Sequence, residues 1–365
     1  MIHNFSRYHR QMLLAGFGEA GQRKLQESTA VVLGCGALGT VIADMLARAG
    51  VGHLVLVDRD FVELTNLQRQ VLFDEQDVTE ALPKAEAAKL KLARINSQVE
   101  VTAIVDDANP TNIERLIAGA DVLLDGVDNF ETRYLANDCA VKHGIPYIYG
   151  GAVATVGTAF AILPHSADGG AVWEQLEGGS KATPCLRCLF EEAPPPGTGA
   201  TCDTVGVIGP AAAIVANFEA AEALKILTGN FDRVCPTMLS FDLWSNTFKQ
   251  FKVARAYEQG DCPCCKRGKF EYLDGSLGSG AATLCGRDAV QLRQKRDAED
   301  VDLEEIAGRL RQHGEVKVNR FMLRAKLVDH DKPYELTLFP DGRAIVHGTH
   351  EPNVARSLYA KFVGS

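Results

Sequence analysis

Short apolar runs alternate with stretches of helical period through the first part of the chain. Thr29–Leu33 is an apolar, β-rich run ending in Gly34-Cys35-Gly36-Ala37-Leu38-Gly39. Over 38–49 the apolar spacing becomes helical, and Gly50 is placed to cap the helix. His53–Val57 is a second apolar strand, ending at Asp58. A strand–glycine turn–helix–strand unit of this kind opens a doubly wound sheet. Pro83 fits the first turn of a helix running to about Ile95, and 99–105 reads as the next strand. A strand at 121–124, a helix over 132–143 and a strand at 145–148 continue the alternation. The pattern predicts an α/β fold with a doubly wound, Rossmann-like sheet.

After Gly150-Gly151 the pattern changes, and 153–163 reads as strand rather than another helix–strand step. Residues 164–184 are polar and Gly-rich, the composition of an insertion or mobile loop. Ala193-Pro-Pro-Pro-Gly-Thr-Gly199 is a second flexible stretch just before Cys202, and 214–227 is helical. Gly and Ser around 272–280 mark a linker. Beyond it, 303–313 reads as helix, three short strands fall between Val316 and His347, and 353–363 closes as helix. Asp341-Gly342 is a hairpin turn. The expected domains are 1–270, holding the sheet and the candidate metal site, and 271–365, a small α+β domain with no motif that assigns it a role.

At 365 residues the chain is long enough for about two domains and a large core. A net charge of -9 argues against phosphate backbones and anionic membranes, so neither nucleic acid nor membrane is an expected partner. The cysteines form no secreted disulfide pattern and suit a reducing cytoplasm. The start, Met-Ile-His-Asn-Phe-Ser-Arg, lacks an apolar signal core, and no run approaches the roughly 18 apolar residues of a membrane helix. A cytoplasmic protein is expected.

Two cysteine half-sites, Cys185-Leu-Arg-Cys188 and Cys262-Pro-Cys264-Cys265, each offer two thiolates at Cys-x-x-Cys spacing. Two such knuckles can close a tetrahedron around one Zn²⁺. Cys264 leaves open which two of the second three thiols bind. The glycine loop, Gly34-x-Gly36-Ala37-x-Gly39, lets backbone approach phosphate at a helix N-terminus, and Asp58 is placed to accept from ribose hydroxyls. NAD fits that much as well as ATP. The next loop narrows the choice. Asp58-Arg-Asp60 is followed by Asn66-Leu67-Gln68-Arg69-Gln, Lys84 begins a helix, and Asp128-Asn129 follows the fourth strand on the edge where such folds bind ligands. Arg69 and Lys84 converging there would neutralise a polyphosphate, and Asp128 could hold Mg²⁺. The competing reading makes both cations solvated surface charges.

Tyr8-His-Arg10-Gln, the glycine loop, Asn66-Leu67-Gln68-Arg69-Gln, Pro83-Lys84, Val127-Asp128-Asn129 and the two knuckles together resemble the ThiF/MoeB/HesA family, bacterial relatives of the ubiquitin-activating enzymes. The likeness covers about residues 5–270. The tail, with Leu284-Cys-Gly-Arg287 and Phe339-Pro-Asp-Gly-Arg343, resembles extended ThiF proteins of thiamine synthesis rather than the rhodanese domain of some relatives. The resemblance implies ATP–Mg²⁺ and a ubiquitin-like sulfur carrier ending in Gly-Gly, whose carboxylate attacks the α-phosphate to give acyl-adenylate and pyrophosphate. By the same resemblance the Gly36–Gly39 loop lies by the nucleotide, Asp58 holds the ribose, and Asn66, Arg69 and Lys84 hold phosphates. Asp128 holds the metal, and Cys185, Cys188, Cys262 and Cys265 hold zinc. Arg10 matches an arginine that reaches over from a partner subunit, which implies a homodimer. Cys202 matches a thiol that can bond covalently to the carrier; the alternative is a small buried hydrophobe. Cys35, Cys139, Cys235 and Cys285 are read as packing residues.

The expected activity is adenylation of a ThiS-type carrier, with a cysteine desulfurase or another sulfur donor as a further partner. The alternatives are a MoaD-type carrier and a non-catalytic scaffold for a ubiquitin-like protein. The chemistry needs alignment and charge neutralisation but no general base, because the attacking carboxylate is already ionised. A hydride-transfer enzyme would usually want a catalytic histidine, which weighs against a dehydrogenase.

Overall fold

The computed structural model describes residues 5–166, 170–177, 179, 181–191, 205–277, 289–292, 301–329, 332–340, 342–349 and 351–363. The chain forms two compact units, Met1–Leu277 and Gly278–Ser365.

The first unit is built on strands β1 (Thr29–Leu33), β2 (His53–Val57), β3 (Glu100–Ile104), β4 (Val122–Asp125), β5 (Tyr147–Val153), β6 (Val156–Ile162), β7 (Thr237–Asp242) and β8 (Thr247–Lys252). They form one sheet in the order β3-β2-β1-β4-β5-β6-β7-β8. Pairing is parallel from β3 to β5 and antiparallel from β5 to β8. Its longer helices are α1 (Gly18–Glu27), α2 (Gly39–Ala49), α3 (Lys84–Ile95), α4 (Phe130–His143) and α5 (Gly209–Leu227).

Both faces of the parallel part are covered. Val32, Leu54, Leu56 and Leu124 pack with Ile42, Leu46 and Val215 on one side. Val31, Leu33, Val55 and Leu123 pack with Leu135 and Cys139 of α4 on the other. A strand buried on both faces needs apolar residues at successive positions, which is why these strands read as continuous runs. Strand order reverses beside β1, so the loops after β1 and β4 flank a crevice at the carboxyl edge of the sheet. Gly50 caps α2 at φ 85°, in the left-handed region that favours glycine.

Several expectations need correction. The sheet continues past β6 into β7 and β8, which the apolar pattern does not reveal because every residue of β8 is exposed. Helix α5 begins at Gly209, before the expected start. The 164–184 stretch holds an anchor: Trp173 is buried, donates its indole N–H to the Pro164 carbonyl at 2.8 Å and packs against Phe231. The stretch read as a linker starts inside the first unit, with Tyr272 against Tyr134 and Leu273 buried. Among the described residues no helix is long and apolar enough to cross a membrane.

The second unit is a five-stranded antiparallel sheet of β9 (Ala289–Leu292), β10 (Val316–Val318), β11 (Leu323–Asp329), β12 (Lys332–Leu338) and β13 (Ala344–His347), in the order β10-β11-β12-β13-β9. Helices α6 (Leu303–Leu310) and α7 (Pro352–Phe362) supply Leu310, Leu358 and Tyr359 to a core with Leu323, Leu336 and Val346. Four strands, not three, lie between Val316 and His347; β12 opens on the polar Lys332-Pro333, which hides its start. Gly342 takes φ 80° in the β12–β13 turn; Asp341 and 284–287 lie outside the described residues.

Candidate active site and thiol cluster

Three glycines lock the two crevice loops together. A Cβ on Gly34, which has φ 88°, would lie 2.4 Å from the Gly126 carbonyl oxygen, and one on Gly126 would lie 2.3 Å from the Gly34 oxygen. A Cβ on Gly39 would lie 1.8 Å from that same Gly34 oxygen. These glycines are therefore required by backbone packing. Gly36 is different. A Cβ there would meet only the Gly126 oxygen, at 3.6 Å, so the loop keeps open space beside the first turn of α2.

Asp58, at the end of β2, accepts from the Cys35 N–H at 2.6 Å and the Asp60 N–H at 2.7 Å, one on each oxygen. Each carboxylate oxygen has a second lone pair for a ligand hydroxyl. Burial raises the Asp58 pKa, opposed by nearby Lys84. Burial, then Asp58, pushes the Cys35 thiol well up, which keeps it protonated and poorly nucleophilic.

Lys84 is buried at the start of α3, its ammonium 3.0 Å from Asp60. The reading of Lys84 as a solvated surface charge is thereby excluded. Asn66 is buried in a 3₁₀ turn, where its side-chain oxygen accepts from the Glu63 N–H at 3.0 Å. Leu67 packs on the core, Gln68 is exposed, and half-buried Arg69 donates to the Thr65 carbonyl at 3.1 Å. Asp128 is exposed above β4, and Asn129 caps α4 by accepting from the Thr132 N–H at 2.9 Å. The structure thus brings the glycine loop, Asp58, Asp60, Lys84, Asp128 and Asn129 to the carboxyl edge of the sheet.

Arg10 does not join them. Its neighbour Gln11 donates to the Ala49 carbonyl at 2.7 Å, and Tyr8 packs on Gly50, both at the far end of α2 from the glycine loop. One five-residue strand at ~3.3 Å per residue puts about 17 Å between the two edges. Cys202 lies outside the described residues.

The sulfurs of Cys185, Cys188, Cys262 and Cys265 all lie within 4.8 Å of one another. Cys185 is 3.8 Å from Cys188 and 3.6 Å from Cys262, and Cys188 is 3.3 Å from Cys265. A zinc tetrahedron with Zn–S of about 2.3 Å has edges of about 3.8 Å, so the donor set fits Zn²⁺. Cys264 accepts from the Asn137 side-chain amide at 3.5 Å and is not one of the four mutually close sulfurs, although its thiol also interacts with that of Cys185. Asn137 also accepts from the Leu186 N–H at 2.8 Å, and neighbouring Asp138 accepts from the Tyr272 N–H at 3.0 Å. One turn of α4 therefore holds both half-sites.

The ThiF family profile matches residues 8–264. A Bacillus subtilis (strain 168) protein named sulfur carrier protein ThiS adenylyltransferase is 44% identical over 359 residues, 98% of this chain and 99% of that one. The chain belongs to the ThiF family. A Haloferax volcanii relative named SAMP-activating enzyme E1 is 37% identical over 268 residues, 73% of this chain and 91% of its own. Among solved structures, Escherichia coli MccB with MccA-N7isoASN shares the fold at TM-score 0.58 and 24% identity, covering 71% of this chain and 75% of that one.

Around this ThiF site lie charged residues that the motif reading passed over. Arg59 pairs with Asp107 at 2.9 Å and lies 3.8 Å from Asp60. Burial pulls its pKa down, but Asp107, Asp60, Asp128 and Asp58 hold it above the usual value. Arg133, one turn into α4 from Asn129, is buried against Asp125 at 3.1 Å. Its signal in the sequence is a cation four residues past the cap, at the start of the buried 133–140 run of α4.

Proposed function

We propose that this chain is an ATP-dependent adenylyltransferase acting on the C-terminal Gly-Gly carboxylate of a ubiquitin-like sulfur carrier of the ThiS type. The observation that carries the reading is the 44% identity to the Bacillus subtilis protein, which runs through 98% of this chain and so spans the second unit as well as the first. The cluster of Asp58, Asp60, Lys84 and Asp128 at the crevice supports it.

In this reading the nucleotide lies across the crevice, with phosphates over Gly36 and the first N–H groups of α2. Asp58 accepts from the ribose. Asn66, Arg69 and Lys84 hold phosphate oxygens, with Asp60 fixing the Lys84 ammonium. Leu67, Gln68, Ala37 and Asn129 complete the wall. Mg²⁺ at Asp128 would offset the charge of the departing pyrophosphate. The carrier carboxylate attacks the α-phosphorus, and the bond to the bridging oxygen breaks toward pyrophosphate. These residues align two anions and lower their repulsion, and no proton need move. Arg10, held at the opposite edge, acts on a second copy of the chain, so the working form is a homodimer. The four thiols would hold one Zn²⁺ that ties the 185–188 segment to 262–265, and Cys202 takes part after adenylation.

The test is carrier-dependent ATP–pyrophosphate exchange with ThiS-type and MoaD-type carriers side by side. Exchange with the ThiS type is expected. Exchange with the MoaD type alone would transfer the reading to molybdopterin synthesis, and exchange with neither would refute it.

A further inference from the structure

Glu219 is the oddest residue of the core. It sits in the middle of α5 with no exposure, and its Oε1 has no hydrogen-bond partner among the described residues. Its Oε2 accepts from the backbone N–H of Asp125, the last residue of β4, at 3.2 Å. The carboxyl lies over Gly150, where a Cβ would come 1.9 Å from Oε1. The bare glycine is what makes room for it.

Asp125 is gripped from the other face as well. Its Oδ2 accepts from Arg133 Nε at 3.1 Å and from the Tyr147 hydroxyl at 2.8 Å. Its Oδ1 accepts from the Val127 N–H at 3.1 Å, while Arg133 Nη2 donates to the Val127 carbonyl at 2.9 Å and to that of Gly150 at 3.0 Å. Both backbone groups of Val127 are thus tied to this network, and Asp128 follows directly. At the N-terminus of α5, a Cβ on Gly209 would lie 3.2 Å from the Gln68 carbonyl oxygen and 3.8 Å from the Arg69 Cα. A single helix therefore touches both the Arg69 segment and the root of the Asp128 loop.

We infer that Glu219 is a positioning residue, which fixes the Asp128 loop through the Asp125 N–H and sets it in register with the Arg69 segment through α5. The inference rests on the reading of Asp128 and Arg69 as metal and phosphate ligands. An apolar side chain of similar volume would be the cheaper occupant of such a site, because a buried acid with one idle oxygen costs stability. Burial, and then Asp125, pushes the Glu219 pKa well above the carboxylate range, and Arg133 is already engaged by Asp125. Tyr147 and Tyr149 are the other titratable groups that feel its charge. Glu219 thus works as a neutral acceptor, and a glutamine would serve as well.

Two variants test this, Glu219→Gln and Glu219→Met, each read by melting temperature, by Mg²⁺-titrated pyrophosphate exchange and by amide hydrogen exchange at Asp125 and Val127 without nucleotide. Glu219→Gln should keep all three near wild type. Glu219→Met should melt no lower than wild type, yet lose about 10–10²-fold in kcat as the loop shifts, need more Mg²⁺ for half-saturation, and exchange those two amides faster. Wild-type kcat, Mg²⁺ response and protection in Glu219→Met would overturn the inference. So would a folded Glu219→Gln as impaired as the methionine variant. If wild-type protein shows no pyrophosphate exchange, the adenylation reading has failed, and the amide measurement still decides the role of Glu219.

Discussion

The Lys84 ammonium lies 3.0 Å from the Asp60 carboxylate, with the lysine side chain only 6% exposed. The cation proposed to hold phosphate is thus fixed by an acid before any ligand arrives. Breaking such a pair takes the close ammonium away from Asp60, which lies beside the partly buried Asp58. Arg69, by contrast, rests on a single carbonyl among the described residues, that of Thr65.

The two cations should therefore separate rate from stability. Removing one preorganised charge costs about 10²–10³ in rate, so Lys84→Ala and Arg69→Ala should both lose that much pyrophosphate exchange. Lys84→Ala should also lose stability, toward the lower end of the ~3–5 kcal/mol typical of a broken buried pair because Asp60 stays partly solvated. Arg69→Ala should melt like wild type. Denaturant titration beside the exchange assay reads both quantities. Near-normal exchange in both variants would move the nucleotide elsewhere.

Zinc should be stoichiometric, one per chain, in protein purified without chelator. Cys264→Ser should retain it, since that thiol faces Asn137, whereas Cys265→Ser should lose it. Elemental analysis of the two variants decides the ligand set that spacing left open. Equal zinc loss in both would bring Cys264 into the cluster.

The contrast between these residues explains what the sequence could reveal. Strands β1, β2 and β4 are readable because residues such as Val31 and Val32 are buried on opposite faces, which makes an unbroken apolar run. β8 is not, because Lys249 and Lys252 sit with Phe248 and Phe251 on an exposed edge strand, and exposure sets no pattern. The glycine loop was legible as a motif, yet the separate work of Gly34 and Gly36 needed the Gly126 backbone opposite them. Asp125, Arg133 and Glu219 belong to none of the motifs read from the sequence. That they meet in the core depends on the missing Cβ of Gly150, a fact of three-dimensional packing.

Arg10 sits at the wrong edge of its own sheet to reach the crevice, so the proposed dimer is testable by mixing. Arg10→Ala and Asp128→Ala proteins should each be inactive alone. After subunit exchange, one of the two sites in a mixed dimer has its own Asp128 and receives a native Arg10. Activity approaching about one quarter of wild type is expected when half of all dimers are mixed and each holds one intact site. No recovery after verified exchange would mean that Arg10 does not complete a neighbouring site.

Cys202 should separate adenylation from sulfur handling. The carboxylate attacks phosphorus without help from a thiol, so Cys202→Ser should keep pyrophosphate exchange within about twofold of wild type. A thiolate near the activated acyl group can displace AMP and form a thioester with the carrier. It can instead join a carrier persulfide in a disulfide, which releases the outer sulfur. A thiol reacts readily near neutral pH only where cations or local N–H groups favour the thiolate. Intact-mass analysis after incubation with ATP, carrier and a sulfur source is the direct measurement. A hydroxylamine-sensitive adduct of carrier mass in wild type marks the thioester, a reductant-sensitive one marks the disulfide, and either should vanish in Cys202→Ser. An adduct that forms equally in both proteins, or a carrier that becomes thiocarboxylated without any adduct, would make Cys202 a packing residue.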